Sequence, residues 1–272
     1  DFFEMNDASA TPLYRPYNNI PDNKEPLIAI ATDPETTQTQ FAINYKQPAS
    51  ETVTIGDFRR NIIHSLFTTM LNARLSEISE QKTAPFQSAY TYYSSYWSRT
   101  SDAFTNRYVC KEGKGLEAFE LALIELQRLA QHGFVASEFT RAKDEIINRF
   151  EQQAIEESKK ESRSFASAYG ANFLKNSPIT SSKDYNTLAK ILMEGISIEE
   201  VNQLIHQWIK DENITVNFTL PEKKGMKVPT EKQILALFEK SKNTQTTPYV
   251  DNANSLPFLV KEPKSGTVVK RT

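Results

Sequence analysis

Three histidines, His64, His132 and His206, and one cysteine, Cys110, are the side chains best suited to hold a metal or act as a nucleophile. Helical zinc sites set two histidines a turn apart, as in H-E-x-x-H or H-x-x-E-H. No two histidines here lie that close. Each has a structural reading instead. His64 lies on the side of an amphipathic helix, and His206 lies on a helix near Trp208. His132 ends a helix, where a partly charged imidazole suits the dipole. Cys110 closes a strand without a local histidine to activate it, so it reads as a small buried hydrophobe. The sequence assigns no catalytic residue and no metal ligand.

The remaining patterns are weak signals for chemistry. Gly113 and Gly115 lack the third glycine of a phosphate loop and read as a tight turn. The carboxylate pairs Glu156-Glu157 and Glu199-Glu200 sit among lysines on polar helix faces, where solvation keeps both ionised. The unusual segment is Tyr90-Thr91-Tyr92-Tyr93-Ser94-Ser95-Tyr96-Trp97. Strand alternation places Tyr90 and Tyr92 on one face and Tyr93 on the other. It supports two readings, a platform for peptide or glycan, or strand packing beneath helices with an interdomain contact.

Composition limits the classes. A chain of 272 residues with 16 Phe, 11 Tyr and 2 Trp can fill a core, which excludes intrinsic disorder. The 32 basic and 34 acidic residues leave a net charge of −2, so nothing favours a phosphate-driven nucleic-acid binder. One cysteine excludes an internal disulfide framework and a cysteine-rich metal site. No apolar run approaches the roughly 18–20 residues that span a bilayer. The first residues, Asp1-Phe2-Phe3-Glu4-Met5, carry no basic region followed by an apolar stretch. The expectation is an excised piece of a longer chain, with its targeting information elsewhere.

Residues 1–26 are polar and proline-punctuated, an irregular lead-in. Strands are expected at 27–32 (a buried apolar run), 39–46, 86–97, 103–110 and 214–220. Helices are expected at 57–80 with Asp57 as N-cap, at 116–132 ending at Gly133, and at 137–160. Shorter helices follow near 163–175, 183–194 and 198–210, the last opened by a capping box over Ser197–Glu200. A final helix starts at Pro229–Gln233. The order predicts an α+β domain over 27–228, with a mostly antiparallel sheet covered on one face by helices. Helices 57–80, 116–132 and 137–160 should all pack on that face. Residues 229–272 read as a terminal helix and interdomain linker. Its apolar patch Leu256–Val260 should dock on the domain or on a neighbour, and deleting 244–272 should shift the melting temperature only a few degrees.

Two stretches carry a resemblance. Leu66-Phe67-Thr68-Thr69-Met70-Leu71-Asn72-Ala73-Arg74-Leu75 leads through Ile78 into Ala84-Pro85-Phe86-Gln87-Ser88-Ala89. Ala118-Phe119-Glu120-Leu121-Ala122-Leu123 leads through Leu129 to Gly133-Phe134 and then Glu138-Phe139-Thr140-Arg141-Ala142-Lys143. Together these resemble the α+β unit of pitrilysin/insulinase-type zinc peptidases over roughly residues 27–240. In the long bacterial members four such units share one chain, and the first carries H-x-x-E-H and the zinc. No position here matches that motif, so the resemblance implies the second, non-catalytic unit, a metallohydrolase-like α/β sandwich without a cofactor. Zinc is then expected in the missing catalytic domain. The implied partners are the other domains of the same polypeptide and a peptide substrate, and the implied compartment is the bacterial periplasm or cell envelope.

Three functions remain in view. The first is a non-catalytic domain that shapes a proteolytic chamber, not an enzyme by itself. The second is a free-standing peptide- or glycan-binding module using the Tyr90–Trp97 face. The third is an enzyme built from scattered carboxylates. An exposed apolar patch favours the first, a concave aromatic cleft the second, and buried unpaired carboxylates in a cleft the third.

Overall fold

The computed structural model describes residues 16–251. Five strands form one sheet: β1 Leu27–Asp33, β2 Gln40–Pro48, β3 Phe86–Ser95, β4 Ser101–Cys110 and β5 Ile214–Pro221. Their order is β1-β5-β2-β4-β3. The pairs β2/β4, β3/β4 and β2/β5 are antiparallel, while β1 runs parallel to β5. Three of the four pairings are antiparallel, as expected of a mostly antiparallel sheet, and the parallel β1/β5 pair makes the sheet mixed. β5, the last strand in sequence, inserts between the first two. Its register sets Phe218 opposite Phe41 and Val216 opposite Ile43, so the apolar positions of both strands share a face. β1 becomes an edge strand, not the buried one expected. Ile28 and Ile30 pack on the core, while Leu27 is exposed.

The helices are α1 Ile55–Glu80, α2 Gly115–His132, α3 Ala136–Ile155, α4 Ser162–Lys175, α5 Ser182–Glu194, α6 Ile198–Asn202, α7 Leu204–Trp208 and α8 Glu231–Lys242. α1 starts two residues earlier than expected, because Thr54 is its N-cap. Thr54 Oγ1 accepts from the Asp57 N–H, and the Asp57 carboxylate accepts from the Thr54 N–H at 2.9 Å. Asp57 is thus the third residue of the helix and not its cap. At α6 only half of the expected capping box forms. The Glu200 N–H reaches Ser197 Oγ, but the Glu200 carboxylate turns to Arg59.

Phe41, Ile43, Tyr45, Phe104, Tyr108, Val216 and Phe218 face the helices and are buried. α1 covers them with Ile62, Leu66, Phe67, Met70 and Leu71, and lies over β3. α2 packs on β2 and β4, and α8 packs on α2 through Phe238 and Phe119, whose rings are 5.4 Å apart. α3 was expected on the sheet but packs on α1 and α5 as an outer layer. Its buried face is narrow (Glu138, Ala142, Ile146), and it ends at Ile155, before a 3₁₀ turn at Glu157–Lys159. The helix expected at 198–210 is broken at Gln203, leaving Val201 on one side and Leu204, Ile205 and Trp208 on the other, all buried. The indole of Trp208 is the hub. His64, Phe67, Tyr93 and Phe104 surround it at 4.8–5.0 Å between ring centres.

An ion pair ties the helical layers together. Arg74 on α1 donates to Glu138 on α3 through Nε (2.6 Å) and Nη2 (2.7 Å), with both side chains almost fully buried. The Phe134 and Tyr249 rings flank the guanidinium. Tyr249 belongs to residues 244–251, which follow α8 and lie along the end of α2. Gln131 donates to Thr244 O and accepts from the Thr246 N–H, and His132 Nε2–H donates to Thr246 O. The rest of the tail, including Leu256–Val260, and residues 1–15 lie outside the described residues. Gly133, where α2 turns into α3, has φ +67° and touches Asn202 so closely that a Cβ would sit 2.6 Å from its amide nitrogen.

Two stability changes of opposite sign are expected. Arg74→Met strands a buried carboxylate and should cost about 3–5 kcal/mol, whereas Arg74→Met with Glu138→Leu should recover most of the loss. Asn106 is fully buried, and its amide has no hydrogen-bond partner among the described residues. Asn106→Leu should therefore stabilise by about 1 kcal/mol or more. Urea unfolding measures both, and a destabilised Asn106→Leu would show that the amide does useful work.

Candidate functional site

Helices cover one sheet face, and the opposite face carries the polar half of each strand's alternation. Asn44, Thr105 and Thr215 form a rung across β4, β2 and β5. Thr105 Oγ1 donates to Asn44 Oδ1 (2.9 Å), and Asn44 Nδ2 donates to Thr215 Oγ1 (3.1 Å). The β3–β4 connection curls over this face. The Tyr96 hydroxyl meets Thr215 Oγ1 at 2.6 Å, which carries its ring across two strands. β3 was expected to run to Trp97 but ends at Ser95, because Trp97 takes φ +55° and turns the chain. A left-handed backbone is costly for a bulky residue, yet here it holds the indole 85% exposed. Tyr90 and Tyr92 stack on the same face. A groove of about 650 Å³ results, walled by Tyr92, Tyr96 and Trp97 and floored by Asn44, Thr105 and Arg107.

A second cavity of about 400 Å³ lies on the other side of β3 and shares Tyr92, Ser94 and Ser95 with the groove. At its wall Asp102, only 6% exposed, accepts from the Ser50 hydroxyl (2.6 Å) and N–H (2.9 Å). His64 and Tyr93 stand beside it with ring centres 4.4 Å apart. Burial, and then the charge of Arg60, lowers the His64 pKa to about 4, so the imidazole is neutral near pH 7. Burial, and then the Asp102 charge, raises the Tyr93 hydroxyl to about 12. Neither Ser50 nor Asp102 stands out in the sequence. The only signal for Asp102 is strand parity, which it shares with the buried Phe104 and Tyr108.

The other residues weighed in the sequence stay apart from these cavities. His132 is fixed to Thr246 O at the end of α2, and His206 is exposed on α7. Cys110 is buried, and burial raises its thiol to about 12, which leaves it protonated. Gly113 has φ +72° in the turn before α2. Glu157 accepts from the Ser182 N–H, and Glu156 and Glu199 are not buried. Among the described residues no three His, Cys, Asp or Glu side chains gather in one place.

Comparison with known proteins follows the same geometry. The first half of the periplasmic protease PqqL from Escherichia coli superposes with a TM-score of 0.77 at 19% identity, over 86% of this chain and 51% of that one. A peptidase M16 inactive domain from Pseudomonas fluorescens gives 0.54 at 14% identity, over 77% and 47%. The fold is that of an M16 peptidase domain. A zinc protease PQQL-like protein of Arabidopsis thaliana is 24% identical over 201 residues, 74% of this chain but only 18% of that relative's length. No family model matches the chain. The M16 domain fold agrees with the pitrilysin/insulinase-type resemblance of the sequence, and no helix among the described residues is long and apolar enough to cross a membrane.

The state of His64 sets a pH dependence. Its folded pKa lies below its unfolded value near 6.5, so the unfolded chain binds the proton first as pH falls. The resulting loss of stability is absent above about pH 6.5 and grows down to about pH 4. His64→Phe should flatten the fall in urea midpoint between pH 7 and pH 5 relative to the parent chain. Parallel curves would show that His64 charges freely in the folded state.

Proposed function

We propose that the chain is a non-catalytic domain of a zinc metalloendopeptidase, forming one wall of a proteolytic chamber and presenting its open sheet face to peptide substrate. The observation that carries this reading is the one-sided sheet, with helices behind and an aromatic, hydrogen-bonding groove in front. An extended peptide offers amides to Asn44, Thr105 and Arg107, and side chains to Trp97 and Tyr92. The M16 domain fold supports it, as does the share of each relative that the chain spans. So does α4, which buries none of its residues and exposes Phe165, Tyr169 and Phe173 one turn apart. Such an apolar stripe is what a domain shows when its neighbours are removed.

In this reading zinc and the water-activating base belong to another unit of the polypeptide. This chain's residues bind and orient the peptide and exclude bulky substrates. The protein named periplasmic among its structural neighbours supports a periplasmic location. A second reading, a free-standing peptide- or glycan-binding module, is favoured by the same groove and by the exposed Trp97.

Two measurements test the proposed reading. The purified chain should carry far less than one zinc per molecule and leave a quenched peptide library uncut. In the full-length polypeptide, Trp97→Ala should raise KM for an extended peptide about 2–10-fold, the scale of one aromatic contact, with kcat and zinc content little changed. An unchanged KM would remove the groove from substrate binding, and chelator-sensitive cleavage by the chain alone would overturn its non-catalytic role.

A further inference from the structure

The cavity behind β3 has an uneven chemistry. Asp102 is its one carboxylate, and no lysine or arginine lines it. Among the described residues no cation stands within ion-pair distance of Asp102; its neighbours are the N–H and hydroxyl of Ser50 and the hydroxyl of Tyr93, all neutral. Arg60 is near enough for its charge to act on His64 and Tyr93, but its guanidinium is held by Asp57 (2.8 Å) and the Glu51 carbonyl. A buried carboxylate without a counter-cation is a costly arrangement that a cationic ligand would relieve.

The rest of the wall favours the same ligand. Ser65, Thr68 and Ser94 bring hydroxyl oxygens, and neutral His64 can offer a nitrogen lone pair. An ammonium has three donors and a guanidinium five, and neither accepts, so this wall matches them. Tyr92 brings an aromatic ring for cation–π contact, while the Tyr93 ring is already packed against His64 and Trp208. An anion would meet Asp102, and an apolar group would strip water from hydroxyls without replacing its hydrogen bonds. The volume of about 400 Å³ lies within the range of small-ligand sites. Because Tyr92, Ser94 and Ser95 border both cavities, a peptide in the groove has this pocket one strand away.

We propose that the Asp102 pocket takes the cationic side chain of a lysine or arginine from the bound peptide, and so selects basic substrates; this rests on the chamber-wall reading above. The test uses the whole 272-residue chain and three probes. They are a labelled nonapeptide with a central arginine, the same peptide with neutral, isosteric citrulline, and N-acetyl-arginine amide.

The arginine peptide should bind at least about tenfold tighter than the citrulline peptide, a difference of about 1.4 kcal/mol. Asp102→Asn should abolish that difference. Ser65→Lys, which brings a competing ammonium into the pocket, should abolish it too and decides the matter if Asp102→Asn fails to fold. Equal binding of the two peptides, or an arginine preference that survives Ser65→Lys, overturns the pocket and leaves the peptide-contact reading standing. Asp102-dependent binding of N-acetyl-arginine amide with neither peptide bound supports the pocket and sinks the chamber-wall reading. Absence of binding by all three probes overturns the pocket.

Discussion

The middle of the sheet stays open until the last strand arrives. β2 can pair with β4, and β4 with β3, through connections that are short or span one helix. β5 must cross back past six helices to enter between β1 and β2. Without it β1 has no partner, and one edge of β2 keeps its N–H and C=O groups unpaired. Trp208 lies six residues before β5 and packs against α1, β3 and β4 through Phe67, Tyr93 and Phe104. The seated indole and the inserted strand therefore belong to one packed arrangement, and the polar rung on the open face is anchored to it. The Asn44 rung ends on Thr215 of β5, and so does the Tyr96 hydroxyl.

Much of this order is legible in sequence. The alternation Phe41, Ile43, Tyr45 and Ile214, Val216, Phe218, Leu220 identifies half-buried strands. The spacing from Ile62 to Leu75 identifies the longest helix. Pairing is not legible in the same way. β1 is a continuous apolar run and β5 is apolar at alternate positions, yet neither pattern distinguishes an edge from a central place or parallel from antiparallel. The layer of α3 is hidden for a related reason. Its stripe of Ala142 and Ile146 looks alike whether a sheet or another helix lies beneath it. Arg74 and Glu138 mark the answer only once the chain is folded, since each reads separately as a surface charge.

The candidate site was half visible. The run from Tyr90 to Trp97 stands out by composition, and alternation assigns its faces. The turn at Trp97 does not stand out, because a left-handed tryptophan has no sequence signature of the kind glycine provides. Asp102 was hidden by its neighbourhood. Ser98-Arg99-Thr100-Ser101-Asp102 looks like a solvated turn, yet β4 begins at Ser101 and its parity turns the carboxylate inward. Sequence composition reports what a segment prefers on average, and a single inward acid within a polar cluster goes against that average.

The edge of the sheet beside these cavities narrows how a peptide can be held. β3 is an edge strand, and its outward N–H and C=O groups would ordinarily invite another strand to pair. At Thr91 they are occupied. Asn72 of α1 accepts from the Thr91 N–H at 2.6 Å and donates to its C=O at 3.0 Å. That clamp fixes α1 against β3 and breaks the ladder a pairing peptide would need. Beyond Thr91 the strand offers little more than Tyr93 and Ser95 before the chain turns at Trp97. Recognition through backbone pairing along the full edge is thereby disfavoured, and recognition through side chains is favoured. The groove in front supplies aromatic and amide contacts, the pocket behind supplies a carboxylate, and only the width of β3 separates them. The same clamp that stabilises the helical layer thus leaves side-chain contacts, in the proposed groove and pocket, as the means by which this edge would hold a peptide.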